Sequence, residues 1–149
     1  MTDLELVLDT MRRSGRLIAA DLQSRAGELN GTALNGEADY LPAFRAACSK
    51  CNMLERPVGF VCRSSAGRVV RLLQIYDSTI YTQEPEELPA QWGFVWSNDP
   101  HHARPFVAIS TSPYMIGNCC TDEGKIWRST IDNNVWRPKD YPAGWQEVV

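Results

Sequence analysis

The sequence has no excess of positive charge. Fifteen Lys and Arg stand against eighteen Asp and Glu, for a net charge of -3 and a pI near 5.4. Such a balance offers nothing to attract a phosphate backbone, which argues against nucleic acid as a partner. Long apolar runs are missing too. No stretch approaches the roughly 18 apolar residues of a membrane span, so no membrane insertion is expected. The N-terminus reads MTDLELVLDTMRRSG, where Asp3, Glu5 and Asp9 interrupt the apolar residues. That pattern lacks the unbroken core of a secretory signal, so the chain is expected to be made and folded in a cytoplasm. There is no G-x-S-x-G, no H-E-x-x-H and no phosphate loop. Aromatic residues are nearly missing from the first third, where only Tyr40 and Phe44 precede residue 60.

What is present is ordinary in bulk and uneven in distribution. The 149 residues fit one domain, or one small domain with a helical extension. Hydrophobic residues make up 44% and charged residues 22%, which excludes disorder and low complexity. All five tryptophans (Trp92, Trp96, Trp127, Trp136 and Trp145) lie in the last 58 residues.

Five cysteines are an odd number. In a reducing compartment they are expected as thiols. Cys48-x-x-Cys51 could form half of a zinc site, completed by Cys119, Cys120, His101 or His102. A second C-x-x-C at ribbon spacing is missing, so buried or partly exposed thiols are the simpler expectation, and no metal or other cofactor is assigned.

Residues 2–29 carry a helical pattern. Leu4, Leu8, Met11, Gly15, Ile18, Leu22, Arg25 and Leu29 recur alternately four and three apart, the spacing of a heptad seam. Thr2 or Asp3 can cap its start, and Asn30-Gly31 supplies a stop. Two readings remain open: an amphipathic helix packed on its own domain, or a helix that self-associates into a homo-oligomer such as a trimer. Residues 37–54 predict a second helix with Pro42 in its first turn and Phe44, Ala47, Cys48, Cys51 and Leu54 on one face.

From Arg56 the period changes to short β-like runs: GFVCRS, RVVRLLQIY, STIYTQ, FVAIST, NCCTD, KIWRSTI and WQEVV. Within them lies an internal repeat, 59–95 against 117–148. Gly59 matches Gly117, Cys62 matches Cys120, and Gly67-Arg68-Val69 matches Gly124-Lys125-Ile126. Pro85 matches Pro138, and Pro89-Ala90-x-Trp92-x-x-Val95 matches Pro142-Ala143-x-Trp145-x-x-Val148. Each copy reads as strand, tight turn, strand, loop and last strand. Three short strands bury little alone, so Trp92 and Trp145 are expected as core anchors. The fold class is therefore α+β, an N-terminal helical segment followed by two small, mainly antiparallel three-stranded β modules. The expected organisation is 1–55 helical, 56–98 first module, 99–111 linker or strand, and 112–149 second module.

The second copy carries a resemblance. Pro113-Tyr114-x-x-Gly117-Asn118-x-Cys120, then Gly124-Lys125-Ile126-Trp127-x-Ser129, then Pro142-x-Gly144-Trp145-x-x-Val148 resembles the carbohydrate-binding modules of families 5 and 12. These are the small chitin-binding modules of chitinases and cellulases. The wording IDNNVW…P…YPAGWQEV is similar to versions carried on phage and prophage virion proteins. In this chain Asn118 stands where the family has an acidic residue, and the family's exposed tryptophan pair falls near Thr130-Ile131. The resemblance implies a carbohydrate-binding surface built instead from Trp127, Trp136 and Tyr141, with Asp132, Asn133 and Asn134 as hydroxyl partners. An aromatic ring packs on the axial C–H groups of a sugar while amides and carboxylates bond its hydroxyls. The competing reading of the 130–141 segment is a turn-rich connection, with Trp136 covering a subunit or repeat interface.

A glycosidase needs two carboxyls across a cleft. Glu84, Glu86 and Glu87 sit beside prolines and read as a solvated loop, Asp122-Glu123 as a tight turn, and His101-His102 as a surface pair. The expectation is a non-catalytic, virion-associated protein that displays weak glycan sites in several copies. It would reside in the virion, or in the host cytoplasm before lysis. The alternative is a purely structural assembly protein that uses the modules for subunit contacts.

Overall fold

The computed structural model describes residues 2–149. Helix α1 spans Asp3–Arg25. Thr2 and Glu5 form a reciprocal capping box, with Asp3 and Glu5 in the first turn and Arg25 in the last, as the helix dipole favours. The expected helix to residue 29 ends earlier, in a 3-10 turn over Ala26–Glu28. Asn30 then caps a short helix α2, Gly31–Gly36, by accepting from the Ala33 N–H. So the Asn-Gly pair starts a new element rather than only ending the old one. Gly31 is required there: a Cβ would run into the Trp96 carbonyl.

The single helix expected over 37–54 is broken into pieces. A 3-10 turn covers Ala38–Tyr40, helix α3 covers Phe44–Lys50, and a second 3-10 turn covers Met53–Glu55. Pro42 is the cause. The residue before a proline is driven out of the helical region, and Leu41 accordingly has ψ 140°. Phe44 and Ala47 are buried as expected, but Leu54 is exposed, because the helix that would have aligned it with them stops at Lys50.

Two sheets follow, and the chain is of the α+β class. Strands β1 (Val61–Arg63), β2 (Val69–Leu72) and β3 (Trp92–Val95) form an antiparallel meander. Strands β4 (Arg104–Pro105), β5 (Cys119–Asp122), β6 (Lys125–Ser129) and β7 (Trp145–Val148) form the second sheet in that order. It has four strands rather than three, because β4 pairs parallel with β5. The expected strands STIYTQ and FVAIST do not form. The first is held in turns by Asp77, whose Oδ1 accepts from the Thr79 N–H and the Asn52 amide. The second leaves the sheet after Phe106 and buries Ile109 instead.

The two meanders share glycine conformations and part of their strand register, although the β1–β2 loop is longer than the β5–β6 turn. Gly59 and Gly117 have φ +95° and +94°, and Gly67 and Gly124 have φ +85° and +78°, left-handed values that favour glycine. Trp92 pairs with Leu72 as Trp145 pairs with Ser129, and Val69 with Val95 as Ile126 with Val148.

One hydrophobic cluster runs through both sheets, from Phe44, Cys62, Val70 and Trp92 to Tyr114, Cys120 and Trp145. Trp92 is fully buried, edge-on to Phe44 at 5.7 Å, and donates to the Tyr76 hydroxyl at 3.0 Å. Trp96, just past the end of the first repeat copy, is buried at the junction of the sheets. It stacks between Phe94 (5.7 Å) and Tyr114 (4.2 Å), and Phe106 continues the stack at 5.4 Å. Arg68 ties the sheets by donating to the carbonyls of Pro105 and Phe106 while pairing with Glu86 at 3.1 Å. A second cluster (Leu22, Ala26, Leu34, Leu41, Val61 and Val69) docks the end of α1 on the first sheet.

Candidate functional site

The 130–141 loop, between β6 and β7, carries most of the residues singled out from the sequence. Its anchor is Asn134, which is fully buried. The Asn134 backbone exchanges two hydrogen bonds with Tyr114. Its amide donates to Ser129 Oγ at 3.0 Å and the Gly144 carbonyl at 2.9 Å, and its Oδ1 accepts from the Trp136 N–H at 3.2 Å. Asn134 is thus consumed by the fold. It leaves the set of expected hydroxyl partners, because a buried amide with its bonds made has nothing to offer a ligand.

The other predicted residues divide as follows. Asp132 is exposed and accepts from the Ile116 N–H at 3.0 Å, which fixes one of its oxygens. Asn133 is exposed in a left-handed turn, φ 55°. Trp136 and Tyr141 come together: their ring centroids are 5.4 Å apart, tilted by 43°, and the two residues are 49% and 41% exposed. Trp136 is held from below, since its carbonyl accepts from Trp145 Nε1 at 2.8 Å. Tyr141 has room because residue 144 is glycine; a Cβ there would lie 2.6 Å from the Tyr141 ring. Arg137, between them in sequence, turns away and grips Asp122 through Nε at 2.9 and 3.1 Å. Large rings on a loop pinned by Asn134, Arg137 and Trp145 make a preorganised apolar platform.

Trp127 plays a different part. It lies on β6 opposite Cys120, half-buried against the core cluster, with Nε1 donating to the Asp122 carbonyl at 3.4 Å. It walls a cleft of about 230 Å³ together with Asp122, Glu123, Lys125, Pro138, Lys139 and Pro142. The charges around this cleft are mutually engaged: Lys125 with Glu147 at 3.3 Å, Lys139 with Glu123 at 3.5 Å, and Arg137 with Asp122. Sequence reasoning missed Lys125, Lys139 and Glu123 as cleft residues. The only signal for them was the clustering of charge around the Gly124 turn and the Pro138–Pro142 segment.

The cysteines are all free, with Cys62, Cys119 and Cys120 buried. Burial pushes the Cys48, Cys62 and Cys120 thiols above the ordinary thiol range, which favours the neutral form. Among the described residues no group of three or more His, Cys, Asp or Glu side chains could hold a metal ion. His102 instead contacts Asp99 at 3.1 Å, and the His101 N–H holds the Asp99 carboxyl below the usual carboxylate range.

No family model matches the chain, and neither curated proteins nor solved structures provide a match.

Proposed function

We propose that the protein is a non-catalytic glycan-binding protein that engages a host-envelope polysaccharide through Trp136 and Tyr141, as a virion-associated component of a phage or prophage. One observation carries the reading: two exposed rings, 5.4 Å apart, stand on a loop pinned by Asn134, Arg137 and Trp145. A platform of this kind matches the apolar face of a pyranose ring, and because the loop is already ordered, little entropy is lost on binding. The sequence resemblance to carbohydrate-binding modules supports the same choice. The non-catalytic reading is supported by the carboxylates nearest the cleft: Asp122 and Glu123 are both engaged by cations, unlike a proton donor poised at a sugar oxygen. Among the described residues no helix is long and apolar enough to cross a membrane.

The test is retention on insoluble cell-wall polysaccharide. Wild type is expected to be retained, while Trp136→Ala and Tyr141→Ala should each lose at least about tenfold in affinity, the scale of one stacking contact. Equal retention of wild type and both variants would refute the platform. The alternative, a structural assembly protein, is favoured by the same exposure, which a neighbouring subunit could cover. It predicts that Trp136 fluorescence is shielded from iodide in the assembled state and that no glycan competes.

A further inference from the structure

We infer that α1 pairs with α1 of a second copy of this chain in an antiparallel, two-chain assembly. The helix is far longer than its attachment. Of its 23 residues only Leu22 is buried, and the exposed stretch carries Leu4, Leu8, Met11 and Ile18, with Leu4 68% and Met11 64% accessible. These residues keep heptad spacing, the signature of a helix that expects another helix against it. Among the described residues no helix is long enough to cover it, since α2 has six residues and α3 seven. Most helix stability in proteins comes from packing an apolar face, and this stretch has its apolar face in solvent. Leu6 and Leu17 lie on the far side of the helix, away from the seam.

The direction follows from where the body sits. Leu8, Gly15 and Leu22 fall in one row, seven residues apart, so the body that buries Leu22 lies on the seam side of the helix. Parallel partners would bring their bodies to the same end and the same side, where they would collide. Antiparallel partners place the bodies at opposite ends and leave the exposed stretch, about 21 Å from residue 4 to residue 18, free to overlap. The same register is favoured by charge and by shape. With Leu8 facing Met11 of the second copy, Glu5 falls beside Arg12 of that copy, and by the twofold axis Arg12 beside its Glu5. Leu4 then meets Gly15, which has open space around its missing side chain. A parallel pair would instead set Val7 beside Arg12 and stack Gly15 on Gly15, leaving a gap.

Light scattering on the full chain is the first test. Wild type should have about twice the 16.8 kDa chain mass, and a single-chain mass at about 100 μM, or a three-chain mass, would overturn the inference. The double variant Leu8→Ala/Met11→Ala, which keeps helix-forming residues and touches nothing in the body, should weaken association at least tenfold without moving the unfolding temperature of the body. An unchanged mass for it would also overturn the inference. Orientation is read by disulfide capture between differently tagged chains. A mixture of Leu8→Cys and Met11→Cys chains should cross-link between the two kinds under copper–phenanthroline, whereas efficient self-cross-linking of Leu8→Cys would show a parallel pair and refute the antiparallel one.

Discussion

Replacing Asn134 tests whether the candidate platform is held by its buried anchor. In Asn134→Ala three hydrogen bonds disappear, to Ser129 Oγ, the Gly144 carbonyl and the Trp136 N–H. Ser129 keeps its bond to the Ile131 carbonyl, and the Gly144 carbonyl keeps the Thr130 N–H, so each of those losses costs about 1 kcal/mol net. The Trp136 N–H loses its partner and adds about 1–2 kcal/mol. The sum is about 3–4 kcal/mol, or about 6–16 °C in unfolding temperature for a chain of this length. Asn134→Asp is more informative. It points a carboxyl at the Gly144 carbonyl, where only the protonated acid can donate. Burial and that carbonyl raise the folded-state pKa above the unfolded value of about 3.9. A raised pKa gives stability that is present below the unfolded pKa and lost as pH rises through the folded one. Circular dichroism melts should therefore find this variant closest to wild type near pH 4 and furthest from it near pH 7.5. If Asn134→Ala melts within about 1 °C of wild type, or if Asn134→Asp is equally destabilised at both pH values, the anchoring role is wrong.

Gly31→Ala forces a Cβ against the Trp96 carbonyl and within 3.2 Å of Val95 Cγ1; urea unfolding should show a loss of about 2–3 kcal/mol. Arg68→Ala strips Glu86 of its partner and frees the Pro105 and Phe106 carbonyls in a nearly buried site, so a loss of about 3 kcal/mol is expected in the same assay. The buried Cys62 and Cys120 thiols and the Tyr76 hydroxyl, raised to about 12 by burial, are neutral in the fold. Their contribution is complete below the unfolded thiol pKa of about 8.5 and declines as pH climbs toward 12. Alkylation at pH 8 should accordingly leave Cys62 and Cys120 unmodified until the protein is denatured, and rapid native-state labelling of either would refute their burial.

Local signals were legible from the sequence wherever a single residue type dictates the backbone. The glycines at 67 and 124 marked tight turns between strands, and the structure gives both a left-handed φ; Gly59 and Gly117, matched in the repeat, share that conformation. The capping residues at Thr2 and the apolar period of α1 located the first helix, and the closing tryptophans located β3 and β7. What failed was a conflict of local signals in one place and competition between distant segments in another. Pro42 was read as a helix start, but its restriction on Leu41 outweighed the helical pattern around it. FVAIST has strand composition, yet the β5 edge of the second sheet is taken by Arg104–Pro105, and the chain leaves that edge after Phe106.

The site shows the same division. Composition and spacing determined that aromatic residues would serve both as core and as surface, and that Trp92 and Trp145 would be core. Tertiary structure alone decided which of the rest were which. Trp96 is buried because two sheets close on it, and Trp127 is half-buried because Cys120 lies across from it in the register. Asn134, polar and set in a polar loop, lies in the interior because Ser129, Tyr114 and Gly144 converge there to satisfy it. Burial is a property of what arrives from elsewhere in the chain. A linear pattern records the residue and its neighbours, whereas the meeting of β6, β7 and the 112–118 segment around Asn134 exists only once the chain has folded, and it is this meeting that leaves Trp136 and Tyr141 outside.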